Sequence, residues 1–426
     1  MVISILIGSF ALLLIIGVPI SFSIGLSGIL SIIYIGTPLP VIAQKFISGI
    51  DSFSLIAIPL FILAGNLMNS GGIAKRLIDF ASCLVGFIRG GLAMVNIVAS
   101  IFFGGISGSS VADSTAIGAA LIPAMKEKKY TAEFSAAVTS ASSTIGVIIP
   151  PSIPMILYGV MAGVSIKQLF IAGIIPGILI ALSLMLATYL MALKYPETFP
   201  KEQFPTISRV WSSFKKGIFS LLMPIIVLGG IILGIVTATE AALIAVVYAL
   251  LIGGLVHREL KVSQFKEIIH ETISGTSTVM FLVGAASLFG FVISYERIPA
   301  MIGNAIQSFS SNYFIILLLI LALLLVVGLF MDLTASLIIL TPILLPIVSS
   351  IGVDPVHFGI ILVVALAIGL TTPPVGLCLF ISSKIANTTI LKTSKSSLPL
   401  LGALFAVLLL ITFIPTSYMW LLNFFD

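Results

Sequence analysis

The sequence predicts an all-α polytopic membrane protein made of two inverted repeats, each with a re-entrant helical hairpin and a broken transmembrane helix. Of its 426 residues, 59% are hydrophobic and only 8% are charged, and the mean hydropathy is +1.28. Soluble globular domains carry roughly 25% charged residues, so this composition leaves almost no soluble mass. The net charge of +5 comes from loop lysines and arginines, and it indicates membrane topology rather than nucleic-acid binding.

A repeated pair of motifs predicts the two repeats. Asp-x-Thr-Ala at 113–116 recurs at 332–335, and Gly-x-x-x-Pro-Pro at 146–151 recurs at 369–374. A Pro-Pro pair ends a helix, and in lipid the freed backbone groups need new partners. Matching interruptions in the two halves of a membrane protein point to a binding site near the middle of the bilayer.

In the first half, three apolar runs are followed by two pairs of shorter runs and a long one. The runs lie at 2–19, 22–35, 53–69, 91–104 with 111–125, 133–149 with 153–163, and 168–193. A spanning helix needs roughly 20 residues, so several of the paired runs are too short to cross alone. Basic residues flank the first pair on both sides, which places both ends of a hairpin at 91–125 in the cytoplasm. The second pair predicts a broken helix at 133–163.

The second half repeats this order with the opposite orientation. Its elements are three spans at 218–236, 239–256 and 272–293, a hairpin at 313–349, a broken helix at 358–383 and a last span at 398–416. The flanks of this hairpin hold little positive charge, so we expect it to enter from the periplasm. An odd number of crossings in each half inverts the second repeat and leaves both termini periplasmic. The protein is therefore expected in the bacterial inner membrane.

A polar linker at 194–217 separates the first repeat, 1–193, from the second, 218–426. Five basic side chains place the linker in the cytoplasm, and Trp211 with two phenylalanines lies among them. Two interpretations stay open, an amphipathic helix lying in the membrane interface and a solvated tether.

Two aspartates, Asp113 and Asp332, are the main chemical signal. An acid at the centre of a spanning helix costs about 2.5–3.5 kcal/mol, so such a residue usually faces an ion or a polar cavity. Each aspartate also follows a hairpin tip, where a carboxylate favourably caps the returning helix. For Asp113 a role within the hairpin and an ion role stay open. For Asp332 we favour an ion role, because residues 328–331 supply no other polar side chain.

Small oxygen-bearing residues and glycines cluster at the tips and breaks of both halves. The hydroxyls belong to Ser107, Ser109, Ser110, Ser142, Ser143, Thr144, Thr334, Thr371 and Thr372. Sodium takes oxygen ligands, which hydroxyls and the carbonyls of unwound helices supply, and glycines let backbones approach closely. Any single serine can equally serve helix packing, but the same combination in both halves favours a sodium site.

Two enzymatic interpretations fit poorly, so no enzyme activity is predicted. Gly-x-Ser-Gly at 105–108 matches a string of rhomboid-type serine proteases, but all three histidines fall in or beside loops. Two membrane aspartates are also a feature of intramembrane aspartyl proteases, but the surroundings of Asp113 and Asp332 differ and a Pro-Ala-Leu string is absent. Cys83 and Cys378 form no metal or disulfide pattern, and no Walker A sequence is present.

Two further charged residues lie outside the repeated motifs. Glu240 sits in the Thr-Ala-Thr-Glu-Ala-Ala run at 237–242, where capping of the following span is the favoured interpretation. Arg297 is the only arginine near the second hairpin, and it either draws an anionic substrate to the periplasmic mouth or anchors the interface.

Four motifs together resemble the large membrane (M) subunit of TRAP transporters, the tripartite ATP-independent periplasmic family. They are Ser-Gly-Ser-Ser-Val-Ala-Asp at 107–113, the Pro-rich run at 142–154, the run at 237–242 and Gly-Leu-Thr-Thr-Pro-Pro-Val-Gly at 369–376. The resemblance implies sodium-driven uptake of an organic acid, such as a C4-dicarboxylate or sialic acid, by an elevator mechanism of the ion-transporter superfamily. It also implies a periplasmic substrate-binding protein (P) and a small membrane subunit (Q), expected here as a separate polypeptide.

The resemblance carries site residues onto this sequence. It implies one sodium site at Ser107, Ser109, Ser142, Thr144 and Gly146, and another at Gly328, Asp332, Thr334, Gly369 and Thr372. It implies an organic acid between the tips, facing Ser110, Pro151 and Pro374. We expect both hairpins and both broken helices to form the moving unit, and the remaining spans to form a scaffold. The main alternative is a stand-alone sodium- or proton-coupled anion transporter of the same superfamily, and a distant one is an intramembrane protease.

Overall fold

The computed structural model of the protein describes residues 1–197, 199, 204–309 and 312–425, and over these residues it is built of helices and loops without strands. The first half contains α1 (Val2–Ile15), α2 (Ile20–Ile35), α3 (Pro40–Ile50), α4 (Ala57–Ser70), α5 (Ile73–Val85), α6 (Gly91–Ser107), α7 (Ser110–Glu127), α8 (Ala132–Ser142), α9 (Ile153–Ala162) and α10 (Ile166–Lys194). The all-helical prediction is confirmed.

The second half follows the same order. It contains α11 (Ile207–Ile232), α12 (Ala238–Leu251), α13 (Phe265–Tyr295), α14 (Ile298–Phe309), α15 (Tyr313–Phe330), α16 (Leu333–Ser350), α17 (Pro355–Gly369), α18 (Leu377–Ala386), α19 (Ile390–Phe413), α20 (Thr416–Met419) and α21 (Leu422–Phe425). In the described part of the chain, eight helical segments are long and apolar enough to cross a membrane. The protein is therefore a multi-pass membrane protein, as predicted.

Both predicted hairpins are present as pairs of helices joined by very short tips. Helices α6 and α7 pack together and are joined through Gly108 and Ser109. Helices α15 and α16 are joined through Met331 and Asp332, whose backbones are extended. Each tip is too short for an independent loop, so the helix ends and their unpaired backbone groups meet at one place in each half.

Both predicted broken helices are also present, with their interruptions at the Pro-Pro pairs. Helix α8 passes into a 3-10 turn at Ser143–Val147 before α9 begins. Helix α17 ends at Gly369, and α18 begins only at Leu377. The Pro-Pro peptide bond is cis in both breaks.

The predicted linker is only partly a linker. Helix α11 begins at Ile207 and continues without a break to Ile232, so residues 207–217 are the first turns of a span. The amphipathic stretch is therefore continuous with the following span, and its position at the membrane interface stays a prediction. Residues 198 and 200–203 lie outside the described residues.

The helices pack in two groups. The scaffold group comprises α1–α5 and α11–α13, in which α13 packs against α2, α3 and α4, and α12 packs against α4. The hairpin group comprises α6–α10 and α15–α19, in which α18 packs against α7 and α8, and α16 packs against α9 and α17. Helices α10 and α19 pack with the broken helices, whereas we expected every remaining span in the scaffold.

Candidate functional site

A cavity of about 430 Å³ lies where the two hairpin tips face the scaffold group. The first tip contributes Ser107–Ala112, and the second contributes Asp332–Thr334. The opposite wall comes from α4 and α13, through Asn66 and Glu271 among others. The structure thus brings together two tips that are more than 200 residues apart in the sequence.

The first tip is shaped by a glycine and a serine cap. Gly108 has a φ of 59°, and a Cβ atom there would lie 2.9 Å from the carbonyl oxygen of Pro151, so this close approach requires glycine. The Ser109 side chain caps α7 by accepting a hydrogen bond from the backbone N–H of Ala112 at 3.4 Å. Ser110 also lines the cavity and is 2% exposed, and its hydroxyl oxygen is buried without a hydrogen-bond partner among the described residues.

The second tip is shaped by Asp332, which is the N-cap of α16. Its Oδ2 accepts hydrogen bonds from the backbone N–H groups of Thr334 at 2.9 Å and Ala335 at 3.4 Å. The residue also lines the cavity. The sequence favoured an ion role for Asp332 over a capping role, but the contacts of its side chain are those of a cap. The sodium role of Asp332 stays a prediction.

Asp113 has the opposite character. It lies in the first turn of α7 but does not cap it, and it is 1% exposed. Neither carboxylate oxygen has a hydrogen-bond partner in the described part of the chain. The Ser100 hydroxyl lies beside it without a bond of ordinary geometry, and a Cβ atom on Gly146 would lie 3.3 Å from its Cβ. The buried acid without partners is therefore Asp113, although the sequence favoured Asp332 as the isolated one.

The rest of the predicted first sodium site lies behind the tip. Ser142 donates to Asn96 Oδ1 at 2.8 Å and accepts from Ser100 at 3.1 Å, while Thr144 donates to the carbonyl of Ala141. Both are buried and neither lines the cavity. Asn96 was missed by the sequence analysis, although a lone amide in the apolar run 91–104 was the available signal.

The predicted second sodium site shows the same closeness of tip and break. A Cβ atom on Gly369 would lie 2.6 Å from backbone atoms of Gly328, so the two backbones touch. Thr372 donates to the carbonyl of Ile368 at 2.7 Å, just at the helix break. Gly328 and Gly369 thus join α15 to the end of α17, with Thr372 just beyond the break, while Asp332 caps α16 at the neighbouring tip.

Three residues predicted to face the substrate do not line this cavity. Pro151 contacts the first tip through its carbonyl, Pro374 is exposed, and Arg297 lies between α13 and α14 with a φ of 54°. Among the described lining residues, the charged side chains are the acids Asp332 and Glu271, with no lysine, arginine or histidine. Glu271 was missed because we ended the polar segment at the start of the run 272–293.

The same lining bears on the serine-protease interpretation of the Gly-x-Ser-Gly string. Ser107 has no histidine base among the described residues that line this cavity.

Glu240 forms a capping box with Thr237, as favoured from the sequence. Its carboxylate accepts from the backbone N–H of Thr237 at 2.8 Å, and the Thr237 side chain accepts from the N–H of Glu240. The residue therefore stabilises the first turn of α12, and it does not line the cavity between the hairpin tips.

Comparison with known proteins identifies the family to which the chain belongs. The chain is 44% identical over 420 residues to the isethionate TRAP transporter permease protein DctMQ of Oleidesulfovibrio alaskensis, a match that covers 98% of this chain and 66% of that protein. It is 39% identical over 409 residues to the sialic acid TRAP transporter large permease protein SiaM of Vibrio cholerae, covering 95% of this chain and 94% of SiaM. It is 34% identical to the C4-dicarboxylate TRAP transporter large permease protein DctM of Rhodobacter capsulatus, covering 98% of each.

A solved structure shares the fold. The YdaH transporter of Alcanivorax borkumensis aligns with a TM-score of 0.64 at 15% identity, over 89% of this chain and 88% of that one. The family model described as "Tripartite ATP-independent periplasmic transporter, DctM component" matches residues 7–417, which indicates a transport role rather than catalysis. The chain therefore belongs to the DctM family of tripartite ATP-independent periplasmic (TRAP) transporters, as a large membrane subunit.

Proposed function

We propose that this subunit carries out sodium-coupled uptake of an organic acid anion that a periplasmic binding protein delivers. The observation that supports this most is the cavity of about 430 Å³ formed jointly by both hairpin tips. Discontinuous helices that end near the middle of a membrane are a common way for transporters to hold a substrate and its coupling ions.

The anion would be held by helix ends and hydroxyls instead of basic side chains. The N-termini of α7 and α16 meet at the cavity, where their partial positive charge favours a negative group. The Ser110 hydroxyl, which is buried beside the first of these helix ends without a partner in the described part of the chain, would supply one donor. The carboxylates of Asp332 and Glu271 would repel the anionic substrate unless a cation binds with it.

Sodium would supply that cation. In our proposal one ion binds at the first tip and break, near Ser107, Ser109, Ser142, Thr144 and Gly146. The other binds at the junction of Gly328, Asp332, Thr334, Gly369 and Thr372. Close backbone contact and hydroxyls at helix breaks are what such sites need. The carboxylate of Asp332 uses Oδ2 for the cap, which leaves Oδ1 for an ion.

The names of the relatives support the proposed substrate class. Their names give isethionate, sialic acid and C4-dicarboxylates, all of which are anions at neutral pH. We propose an organic acid of this range, a periplasmic binding protein and a small membrane subunit as partners. The name DctMQ leaves open whether the small subunit is a separate polypeptide or fused to the large one.

An elevator movement would alternate access to the site. The hairpin group would slide against the scaffold group and carry the cavity across the membrane, since the cavity lies between them. Bound sodium would order the tips before the substrate enters.

Reconstitution tests the proposal. Proteoliposomes containing this subunit and its small subunit, supplied with the binding protein, should take up substrate only with an inward sodium gradient. Uptake that persists without a sodium gradient but requires a proton gradient would favour proton coupling, which the buried, unpartnered Asp113 makes the second candidate. Uptake without any binding protein would favour a stand-alone transporter.

A further inference from the structure

A second cavity, of about 510 Å³, lies at the surface of the scaffold group and has no part in the proposed transport site. Helix α5, the beginning of α11 and the connection after α12 form its walls. Its charged residues are Lys75, Arg76, Asp79, Lys215, Lys216 and Glu259, with His257 beside them. We call this cavity the basic pocket.

One ion pair within the basic pocket is already satisfied. Arg76 Nη2 donates to Glu259 Oε1 at 2.7 Å, and Arg76 Nη1 donates to the carbonyl of Gly72 at 2.8 Å. The hydrogen bond from Arg76 lowers the pKa of Glu259, so this carboxylate stays ionised and paired. Burial and the positive charge of Arg76 lower the pKa of His257, which keeps that imidazole neutral near pH 7.

The remaining charges of the basic pocket are unbalanced. Lys75, Lys215 and Lys216 are exposed, and Asp79 is the only other acid that lines the described cavity. These lysines come from two helices, α5 and α11, which pack against each other. Three ammonium groups around one pocket would repel each other and attract a multiply charged anion.

The pocket borders an apolar and aromatic surface. Trp211 is 58% exposed and stacks on Phe214 with ring centroids 5.8 Å apart, and the Lys215 ammonium lies 5.4 Å from the centre of the Trp211 ring. Phe219 lines the pocket and is 41% exposed, and Ile225 lies further along α11 with 63% exposure. Along the apolar part of this helix, within Val210–Ile232, only 28% is buried inside the protein. This surface suits lipid chains, with tryptophan and lysine at the level of the headgroups.

We propose that the basic pocket binds the phosphate headgroup of an anionic phospholipid, such as cardiolipin or phosphatidylglycerol, with its acyl chains along the exposed face of α11. Basic pockets at the ends of membrane helices are a known way to hold such headgroups. A lipid fits better than a soluble anion because the apolar surface begins directly beside the lysines. The proposal does not depend on the transport function or on the sodium sites.

Native mass spectrometry of the purified protein, titrated with cardiolipin, phosphatidylglycerol or phosphatidylethanolamine, tests the proposal. The wild-type protein should retain the two anionic lipids and lose phosphatidylethanolamine. Lys75→Gln/Lys215→Gln/Lys216→Gln should weaken cardiolipin binding roughly 100-fold, because each lysine near a lipid surface contributes about a factor of five. The matched control Lys384→Gln/Lys392→Gln/Lys395→Gln removes three exposed charges elsewhere and should bind like wild type.

The proposal would be wrong if the wild-type protein retained phosphatidylethanolamine as well as cardiolipin. It would also be wrong if the Lys75/Lys215/Lys216 variant bound cardiolipin as tightly as the wild-type protein. Inorganic phosphate that displaces cardiolipin would assign the pocket to a soluble anion. A pocket variant that keeps lipid but no longer copurifies with the small subunit would assign the pocket to a protein contact. If the glutamine variant does not fold, the three Lys→Arg changes supply the second test, because they keep the charge and should keep lipid binding.

Discussion

Asp332 combines a structural contact with a position at the transport cavity. Its Oδ2 holds the first turn of α16, and the residue also lines the space between the tips. An asparagine side chain keeps an oxygen that can cap a helix, but it has no negative charge. The two roles can therefore be separated by one substitution.

We predict that Asp332→Asn leaves the fold intact and raises the sodium concentration needed for half-maximal uptake by tenfold or more, on the order of 1.4 kcal/mol. Sodium titration of uptake in proteoliposomes is the measurement. Asp354→Asn is the matched control, because Asp354 caps α17 through the N–H groups of Val356 and His357 outside the cavity. Identical sodium curves for both variants would show that Asp332 is a cap only.

Asp113 carries a different prediction, because neither of its carboxylate oxygens has a hydrogen-bond partner of ordinary geometry among the described residues. A buried carboxylate without hydrogen bonds is costly when charged, so it needs a cation or a proton in the folded protein. We predict that Asp113→Asn folds normally, since the amide has the same shape, and that uptake changes its dependence on sodium or on pH. Uptake is measured against sodium at fixed pH and against pH at saturating sodium. Two unchanged profiles would contradict the prediction.

The different roles of the two aspartates could not be predicted from the sequence. Both follow a tip and begin the same Asp-x-Thr-Ala motif. Asp332 stands one residue before its helix, whereas Asp113 stands three residues after the start of α7, whose cap is Ser109. The tips are equally short, so what decides is the position relative to the cap: Asp332 is the cap itself, whereas Asp113 lies four residues beyond its cap and its carboxylate cannot reach the free N–H groups of the first turn.

At the scale of elements, each hairpin is held to its neighbouring broken helix by glycines in contact. A Cβ atom on Gly104 would lie 2.7 Å from the Cα of Gly146 in the first half. Gly328 and Gly369 make the same contact in the second half. Small residues allow helix backbones to touch in lipid, where packing drives association.

We predict that Gly369→Ala destabilises the protein by about 1–3 kcal/mol and lowers uptake, because the added methyl group would meet the backbone of Gly328 at 2.6 Å. Thermal unfolding of the purified protein and uptake measure the two effects. Gly402→Ala in α19 is the matched control, since nothing lies within 4 Å of a Cβ atom there. A Gly369 variant as stable as the control would contradict the contact.

Most elements were predictable because apolar length and Pro-Pro interruptions are strong local signals. Both hairpins and both broken helices lie within one helical turn of their predicted bounds. Three short helices, α3, α5 and α14, were missed, as were the two four-residue helices α20 and α21 at the C-terminal end. Helix α5 carries Lys75, Arg76 and Asp79 within its 13 residues, so it lacks the apolar run used to find spans. Its structure depends on packing against α6 and α11, which the sequence does not show.

At the scale of the whole molecule, the two groups of helices meet along a boundary whose main contact is α5 against α6. Helix α6 contacts α4, α5 and α11, and α16 contacts α13. The cavity opens along this boundary, between the tips and the scaffold helices. An elevator mechanism requires these contacts to slide, whereas contacts within each group stay fixed.

A disulfide across the boundary tests this movement. A Cβ atom on Gly105 of α6 would lie 3.4 Å from the Cβ of Pro224 in α11, close to the Cβ separation of a disulfide. We predict that oxidised Gly105→Cys/Pro224→Cys loses uptake and that a reductant restores it, because the hairpin group is tied to the scaffold group. Both native cysteines are buried, so we expect little crosslinking that does not involve the two introduced cysteines.

The matched control is a disulfide within the scaffold group. A Cβ atom on Gly25 of α2 would lie 3.3 Å from the Cβ of Ala285 in α13, nearly the same separation. Oxidised Gly25→Cys/Ala285→Cys should therefore form as readily and leave uptake intact, since both helices belong to the part that stays fixed. Full uptake by the crosslinked Gly105/Pro224 variant would exclude sliding at this boundary. Loss of uptake in both variants would mean that the scaffold itself must change shape during transport.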